Sequence, residues 1–100
     1  MSIYKLEITI PAEEEYASAF HYYEKQQQGL GRKFEKETDR LIEQLKLNPY
    51  LFQRKFKHYR EAIFRIFPYF IVYEIVNETI FIHSFFHTSR NPKKKLKRQK

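Results

Sequence analysis

The sequence has no cysteine and no tryptophan, and it has only two glycines and four prolines among its 100 residues. The absence of cysteine excludes disulfide frameworks, thiol nucleophiles and cysteine-ligated zinc sites. The scarcity of glycine and proline excludes collagen-like and linker-like chains. No apolar run reaches the roughly 18 residues that a membrane helix needs, and the beginning of the chain does not have the basic and then apolar layout of a signal peptide. We therefore expect a soluble protein of the cytoplasm.

Aromatic residues are abundant, with ten phenylalanines and eight tyrosines in a chain whose composition is 42% apolar. A chain of this length buries about 65% of the surface that its unfolded form exposes, which is enough for one hydrophobic core between two layers. We expect a single domain over residues 1–90, followed by a basic C-terminal tail over residues 91–100.

The net charge of +7 is distributed unevenly along the chain. Residues 1–50 carry seven basic and nine acidic side chains, whereas residues 51–100 carry twelve basic and three acidic ones. Because the summed charge of a surface steers association before any contact forms, the basic half predicts a polyanionic target or an acidic protein partner.

Hydrophobic periodicity predicts a strand and two helices in the first half of the chain. Apolar and polar residues alternate over residues 4–10, as in a half-buried strand, and Pro11 suits the first turn of a helix. Apolar residues recur at helical spacing both before and after Gly29 and Gly31. The second of these two patterns ends at Asn48-Pro49. We expect an antiparallel helical hairpin whose joint uses the glycines for positive φ or for close backbone approach.

The second half of the chain is rich in β-branched and aromatic residues, as is typical of strands. The pattern predicts strands over residues 62–67, 69–76 and 80–86, and a basic, aromatic connector over residues 50–61. The fold class is therefore α+β, with a strand, a helical hairpin and then a three-stranded antiparallel meander. We expect the helices to pack on one face of a mostly antiparallel four-stranded sheet.

Basic and aromatic side chains flank this predicted sheet. They are Arg54, Lys55, Lys57, His58, Tyr59 and Arg60 before it, Arg65 within it, and His87 and Arg90 after it. If the strands pair in sequence order, several of these side chains meet at one end of the sheet. Such groups could supply the base, the cations and the acid that metal-free RNA cleavage needs. They could equally be solvated or face an acidic partner.

The sequence predicts neither a metal site nor a cofactor. His83 and His87 have the only histidine spacing worth testing for a metal, and in an extended strand they would lie about 13 Å apart, too far to bind one ion. No glycine-rich phosphate loop, hydrolase motif or cluster of carboxylates is present.

Several short motifs follow one another in a characteristic order. They are residues 17–24 with Tyr22-Tyr23-Glu24, Gly29-Leu30-Gly31 with Phe34, Asn48-Pro49, residues 60–73 with Phe67-Pro68-Tyr69 and Ile71-Val72-Tyr73, and residues 87–92 (His-Thr-Ser-Arg-Asn-Pro). In their order and spacing, they resemble the RelE/ParE superfamily of toxins from bacterial toxin–antitoxin (plasmid stabilisation) systems. The resemblance covers nearly the whole chain, and it implies a helical hairpin packed against an antiparallel sheet.

Members similar to RelE cleave mRNA on the ribosome with cationic side chains on the middle strands and an arginine after the last strand. Arg90 matches the arginine after the last strand, whereas Glu61 and Ile63 occupy the positions of lysines and Phe70 that of the strand arginine. Some nuclease members use a C-terminal histidine, for which His87 is the candidate. A metal-independent mRNA endonuclease is thus one alternative, and its catalytic residues would be Arg90, His87, Arg65 and Arg60.

The Phe-Pro-Tyr and His-x-x-Arg-x-Pro features are more similar to the ParE branch, whose best-known members inhibit DNA gyrase without being hydrolases. The resemblance implies a toxin that binds host gyrase and is neutralised by a cognate antitoxin. A member that has lost toxicity and only binds a partner is a third alternative. The residues expected to contact the target are Arg54, Lys55, Lys57, Arg60, Arg65, Arg90, Lys93, Lys94, Lys95 and Lys97.

In this family the antitoxin lays an amphipathic segment over the helices and the sheet of the toxin. The basic half of this chain would attract an acidic antitoxin. We expect Phe70, Phe81 and Phe85 either to offer apolar pockets to that segment or to lie under the helices of the chain itself.

Overall fold

The computed structural model describes residues 4–89, which form two helices and one five-stranded sheet. The elements in chain order are β1 (Lys5–Ile8), α1 (Ile10–Gln26), α2 (Leu30–Leu47), β2 (Arg54–Phe56), β3 (Tyr59–Ile63), β4 (Tyr69–Val76) and β5 (Thr79–His87). The strand order in the sheet is β1-β5-β4-β3-β2. β1 pairs in parallel with β5, and every other pair is antiparallel. Neither helix is long and apolar enough to cross a membrane.

The predicted fold class is confirmed, but the sheet has five strands instead of the expected four. The additional strand, β2, lies within the segment that we predicted to be a connector. Its three residues show no apolar alternation, because β2 is an edge strand with two exposed cations and an irregular pairing to β3. Such a strand leaves almost no signal in the sequence.

The strand predicted over residues 62–67 lies further towards the N-terminus, at β3. Two aromatic residues, Phe64 and Phe67, suggested the later position. Both side chains are buried, but they belong to the loop after β3 and not to a strand. Periodicity cannot distinguish these cases, since burial requires an apolar side chain whatever the backbone conformation.

Thr9 and Pro11 account for the start of α1. The Thr9 hydroxyl accepts a hydrogen bond from the backbone N–H of Ala12 at 3.3 Å and so caps the helix. Pro11 stands in the first turn, where its missing N–H costs nothing, and the carboxylate of Glu13 lies near the positive end of the helix dipole.

The hairpin joint uses its glycines in the two ways that the sequence predicts. Gly29 has φ +90°, in the left-handed region. A Cβ on Gly31 would lie 2.8 Å from a carboxylate oxygen of Glu24 and 3.0 Å from the carbonyl oxygen of Phe20. The Glu24 carboxylate accepts hydrogen bonds from the backbone N–H groups of both glycines, at 2.9 Å each, and this closes the turn.

Gly29→Ala is expected to lower the free energy of unfolding by about 1–2 kcal/mol, because a Cβ makes left-handed backbone unfavourable. A Cβ at this position would contact nothing within 4 Å, so the effect would come from the backbone alone. Gly29→Asn should lose less, since asparagine tolerates this conformation better. Urea denaturation of the three proteins measures the difference. Identical stability of all three would contradict the conformational argument.

The core lies between the helical layer and the sheet, and it is unusually aromatic. Phe34 of α2 is fully buried at its centre. Its ring lies 5.2–5.6 Å from five other rings, those of Tyr16, Tyr23, Phe64, Phe67 and Tyr69. Such ring pairs are worth about 0.5–1.5 kcal/mol each beyond their burial, so this cluster fixes how the helices sit on the sheet.

Candidate functional site

The hairpin formed by β2 and β3 carries three of the predicted contact residues. Arg54, Lys55 and Lys57 are all exposed, and Lys57 occupies the turn with φ +54°. The Lys57 ammonium lies 5.5 Å from the centroid of the Phe56 ring, close enough for a cation–π contact. We call residues 54–58 the basic hairpin. It forms one edge of the sheet and displays its cations outward.

Arg60, a candidate for both catalysis and target contact, faces the helical side of the sheet. Its guanidinium donates a hydrogen bond of 2.6 Å to the carbonyl oxygen of Phe52, and it lies 5.1 Å from the centroid of the Tyr50 ring. In the neighbouring strand, the Tyr73 hydroxyl donates to the carbonyl oxygen of Pro49 at 2.6 Å. Burial raises the pKa of the Tyr73 hydroxyl, and the positive charge of Arg60 offsets a smaller part of this rise. The resulting pKa is about 12. Arg60 therefore binds the loop that precedes β2.

Arg65 and His87 lie at the opposite end of the sheet from the basic hairpin. Arg65 follows β3, and His87 pairs with Tyr69 at the end of β5. The His87 ring contacts the Tyr69 ring edge-on, with centroids 5.0 Å apart, and its Nδ1 accepts a hydrogen bond from the backbone N–H of Ser89. Arg65 lies five residues beyond Arg60, about 16 Å along an extended chain. Several of the predicted residues, those of the basic hairpin, therefore do lie together at one end of the sheet, whereas Arg65 and His87 lie at the other end because β3 separates them.

The remaining predicted site residues lie outside the described part of the chain. They are Arg90, Lys93, Lys94, Lys95 and Lys97. Their roles stay predictions from the sequence.

The sheet face opposite the helices, which we call the outer face, carries an apolar cluster. Phe70, Val72 and Phe86 are 8%, 1% and 3% exposed, and Tyr59 packs against them. This cluster is separate from the core beneath the helices. Phe85 instead lies in that core, with its ring 5.4 Å from that of Tyr16. Of the three predicted phenylalanines, Phe85 thus lies under the helices, Phe70 lies on the outer face, and Phe81 pairs with Glu74. Contact of these rings with an antitoxin stays a prediction.

The positions that resemble those of the RelE cations also lie on the outer face. Strand pairing places Glu61 opposite Val72 and Ile63 opposite Phe70. Glu61 is buried, and Ile63 is 56% exposed. Of the three positions, only that of Ile63 is exposed, whereas Glu61 and Phe70 are buried.

A cluster of two histidines and one glutamate joins the basic hairpin to the sheet. The Nε2 atoms of His58 and His83 lie 2.9 Å and 2.6 Å from the two carboxylate oxygens of Glu74. The Tyr59 ring packs against both imidazoles. The sequence alone does not reveal this cluster, because its members come from three parts of the chain that only strand pairing brings together. Across residues 4–89, no three acidic or histidine side chains converge in a geometry that could hold a metal ion.

A groove with a volume of about 390 Å³ lies between the helices, above the end of the sheet. Its apolar lining is Ile8, Tyr16, Ile42 and Phe85, and its polar lining is Glu13, Thr38 and Asp39. Burial, followed by the charges of Glu35 and Asp39, raises the pKa of Tyr16 to about 12. The groove is therefore apolar inside and acidic at its rim, which suits an apolar segment flanked by cations.

Comparisons with known proteins agree with this architecture. The family described as the ParE toxin of the type II toxin-antitoxin system, parDE, matches residues 6–92. No curated protein matches the chain in sequence. A solved structure of the chromosomal ParDE toxin–antitoxin system from P. aeruginosa is similar in fold, with a TM-score of 0.77 and 11% identity over 87% of this chain and 98% of that chain. Since the family match spans most of the sequence, the chain belongs to the ParE toxin family of type II toxin–antitoxin systems.

Proposed function

We propose that this protein is the toxin of a type II toxin–antitoxin module and that it acts by binding a host protein, DNA gyrase, without hydrolysing a substrate. Its place of action is then the cytoplasm, where gyrase works. An antitoxin made from the same module neutralises it by covering its surfaces.

The side chains on the outer face are the main reason to propose a toxin that binds its target and does not cleave RNA. A nuclease must stabilise the charge that develops on a phosphate, and it does so with preorganised cations. In this chain the corresponding positions are occupied by Glu61, Ile63 and Phe70. None of these three side chains is a cation that could stabilise a phosphate, and the exposed one, Ile63, favours contact with an apolar surface of a protein.

Cationic residues at both ends of the sheet are the proposed target contacts. The basic hairpin supplies Arg54, Lys55 and Lys57, and Arg65 lies at the other end. A protein–protein interface of ordinary size buries about 800 Å² on each partner and is wide enough to include both ends. Arg60 is a supporting residue in this proposal, because its guanidinium is bound to the preceding loop. Arg90 and the basic residues 93–97 extend the proposed contact beyond the described residues.

The antitoxin is expected to have segments of opposite charge. The ParDE structure of P. aeruginosa is described as a toxin–antitoxin system, which supports an antitoxin partner for this chain. The groove between α1 and α2 has an acidic rim at Glu13 and Asp39, whereas the basic hairpin is cationic. An apolar segment with flanking cations fits the groove, and an acidic segment fits the hairpin.

Growth measurements test this proposal directly. Expression of the chain alone in a bacterial host should stop growth, and co-expression of the small protein encoded beside it should restore growth. Supercoiled plasmid should become relaxed in the arrested cells, because gyrase would be inhibited. Growth that continues at full expression of folded protein would exclude a toxin and would favour a member that only binds a partner.

Ribosome-dependent mRNA cleavage is the second candidate, and one observation favours it. Arg65 and His87 lie at the same end of the sheet, where they could serve as cation and acid. In that case, alanine at both His87 and Arg90 should abolish mRNA cleavage while leaving the fold intact. Toxicity that survives this double substitution would argue against the nuclease.

A further inference from the structure

The end of β3 and the loop that follows it expose two isoleucines and an arginine. Phe64 and Phe67 at its two ends are buried, with exposures of 4% and 6%. Between them, Ile66 is 77% exposed, more than any other large apolar residue in the described range. Ile63, at the end of β3, is 56% exposed. Arg65 is exposed as well. We call Ile63, Arg65 and Ile66 the β3–β4 tip.

A buried carboxylate of α2 holds this loop in place. Glu37 is only 6% exposed, and its carboxylate accepts hydrogen bonds from the backbone N–H groups of Arg65 and Ile66, the latter at 3.2 Å. Arg40 donates a further hydrogen bond to the same carboxylate at 3.3 Å. Because two backbone groups of the loop are bound to a helix, the orientation of the tip is fixed before any partner arrives.

The neighbouring backbone is fixed in the same way. The N–H of Phe64 donates to the carbonyl oxygen of Tyr69 at 3.0 Å, and the N–H of Tyr69 donates to the carbonyl oxygen of Phe67 at 2.8 Å. The loop is thus closed on itself and anchored by two buried rings. An exposed apolar side chain on a rigid backbone loses little conformational entropy when a partner covers it.

We infer that the β3–β4 tip is the anchor with which the toxin binds its host target, and that the target is a folded protein with an apolar pocket rimmed by carboxylates. The inference rests on the proposed function and identifies its contact surface. The phosphate backbone of a nucleic acid has no apolar surface that could cover two exposed isoleucines, whereas an apolar pocket of a protein can bury both. The acidic rim follows from charge complementarity with Arg65, which lies between them in the sequence. The cations of the basic hairpin then steer the encounter instead of anchoring the complex.

The decisive experiment compares two isoleucines of similar exposure. Ile66→Ser removes the anchor, and Ile10→Ser is the matched control, because Ile10 is 70% exposed at the start of α1. Burial of one isoleucine is worth roughly 10- to 100-fold in affinity. Each protein is expressed from a titratable promoter, and the level at which growth stops is measured by immunoblot. The Ile66→Ser protein should stop growth only at a level at least about 10-fold higher than that of the wild type. The Ile10→Ser protein should stop growth at the same level as the wild type.

Ile63→Ser is a second variant, and it should also raise the protein level that is needed to stop growth. Circular dichroism and the melting temperature show that each variant is folded. If Ile66→Ser and Ile63→Ser stop growth as well as the wild type does, the inference is wrong, although the proposed function stands. If Lys55→Gln and Lys57→Gln abolish the arrest while Ile66→Ser does not, the anchor is the basic hairpin and a nucleic acid becomes the better target. A wild-type chain that does not stop growth would overturn both the proposed function and the inference.

Discussion

Replacing Phe34 with alanine is expected to lower the free energy of unfolding by about 3–5 kcal/mol. Phe34 of α2 is fully buried, and its ring contacts rings of α1, of β4 and of the loop that precedes β4. The stacked pair with Phe64 has centroids 5.2 Å apart and an angle of 8° between the rings. Alanine would leave a cavity that these aromatic neighbours cannot fill, since each is packed on several sides.

Tyr22→Ala is the matched control for this prediction. Tyr22 is also an aromatic residue of the helical layer, but it is 58% exposed, and its loss should cost less than about 1 kcal/mol. Guanidinium denaturation, monitored by circular dichroism, gives both values. A loss of less than 1 kcal/mol for Phe34→Ala would mean that the aromatic core is not packed as described.

Glu37→Ala is expected to cost about 2–4 kcal/mol, because a charged acceptor of two backbone N–H groups is removed and both donors lose their partner. The donors belong to Arg65 and Ile66, and the acceptor is buried. Glu37→Gln keeps one acceptor oxygen and should recover part of the loss. Hydrogen exchange should become faster at the amides of Arg65 and Ile66, and urea denaturation gives the change in stability.

Glu43→Ala provides the control on the same helix. The Glu43 side chain is 71% exposed, and it lies 4.0 Å from the ammonium group of Lys46 in an exposed pair. Such a pair contributes at most about 0.5 kcal/mol. Equal losses for the Glu37 and Glu43 variants would show that the carboxylate of Glu37 does not hold the β3–β4 loop.

The elements with a strong internal period could be predicted from the sequence. β1 alternates, both helices have an apolar stripe, and the glycine-containing joint separates them. β2 could not be predicted, because its residues are Arg-Lys-Phe at an edge and only pairing with β3 makes them a strand. Local pattern decides the type of an element only where one of its faces is buried.

The contact residues stay predictions from the sequence, and their arrangement in space could not be predicted from it. Arg60 and Arg65 are both cations of one predicted region, yet strand alternation turns Arg60 towards the helical side, where the Phe52 carbonyl binds it. Glu37 showed no sign of its role, since its partners lie 28 and 29 residues further along the chain. Contacts of this kind arise from tertiary packing, which periodicity does not encode.

The most direct test of the central claim is a DNA supercoiling reaction that contains purified gyrase, ATP, relaxed plasmid and the purified toxin, run beside a translation reaction that contains ribosomes and labelled mRNA. A gyrase-binding toxin of the ParE family is predicted to stop supercoiling at micromolar concentration or below while the mRNA stays intact. Undiminished supercoiling together with rapid, ribosome-dependent loss of the mRNA would contradict the claim and identify the chain as a nuclease.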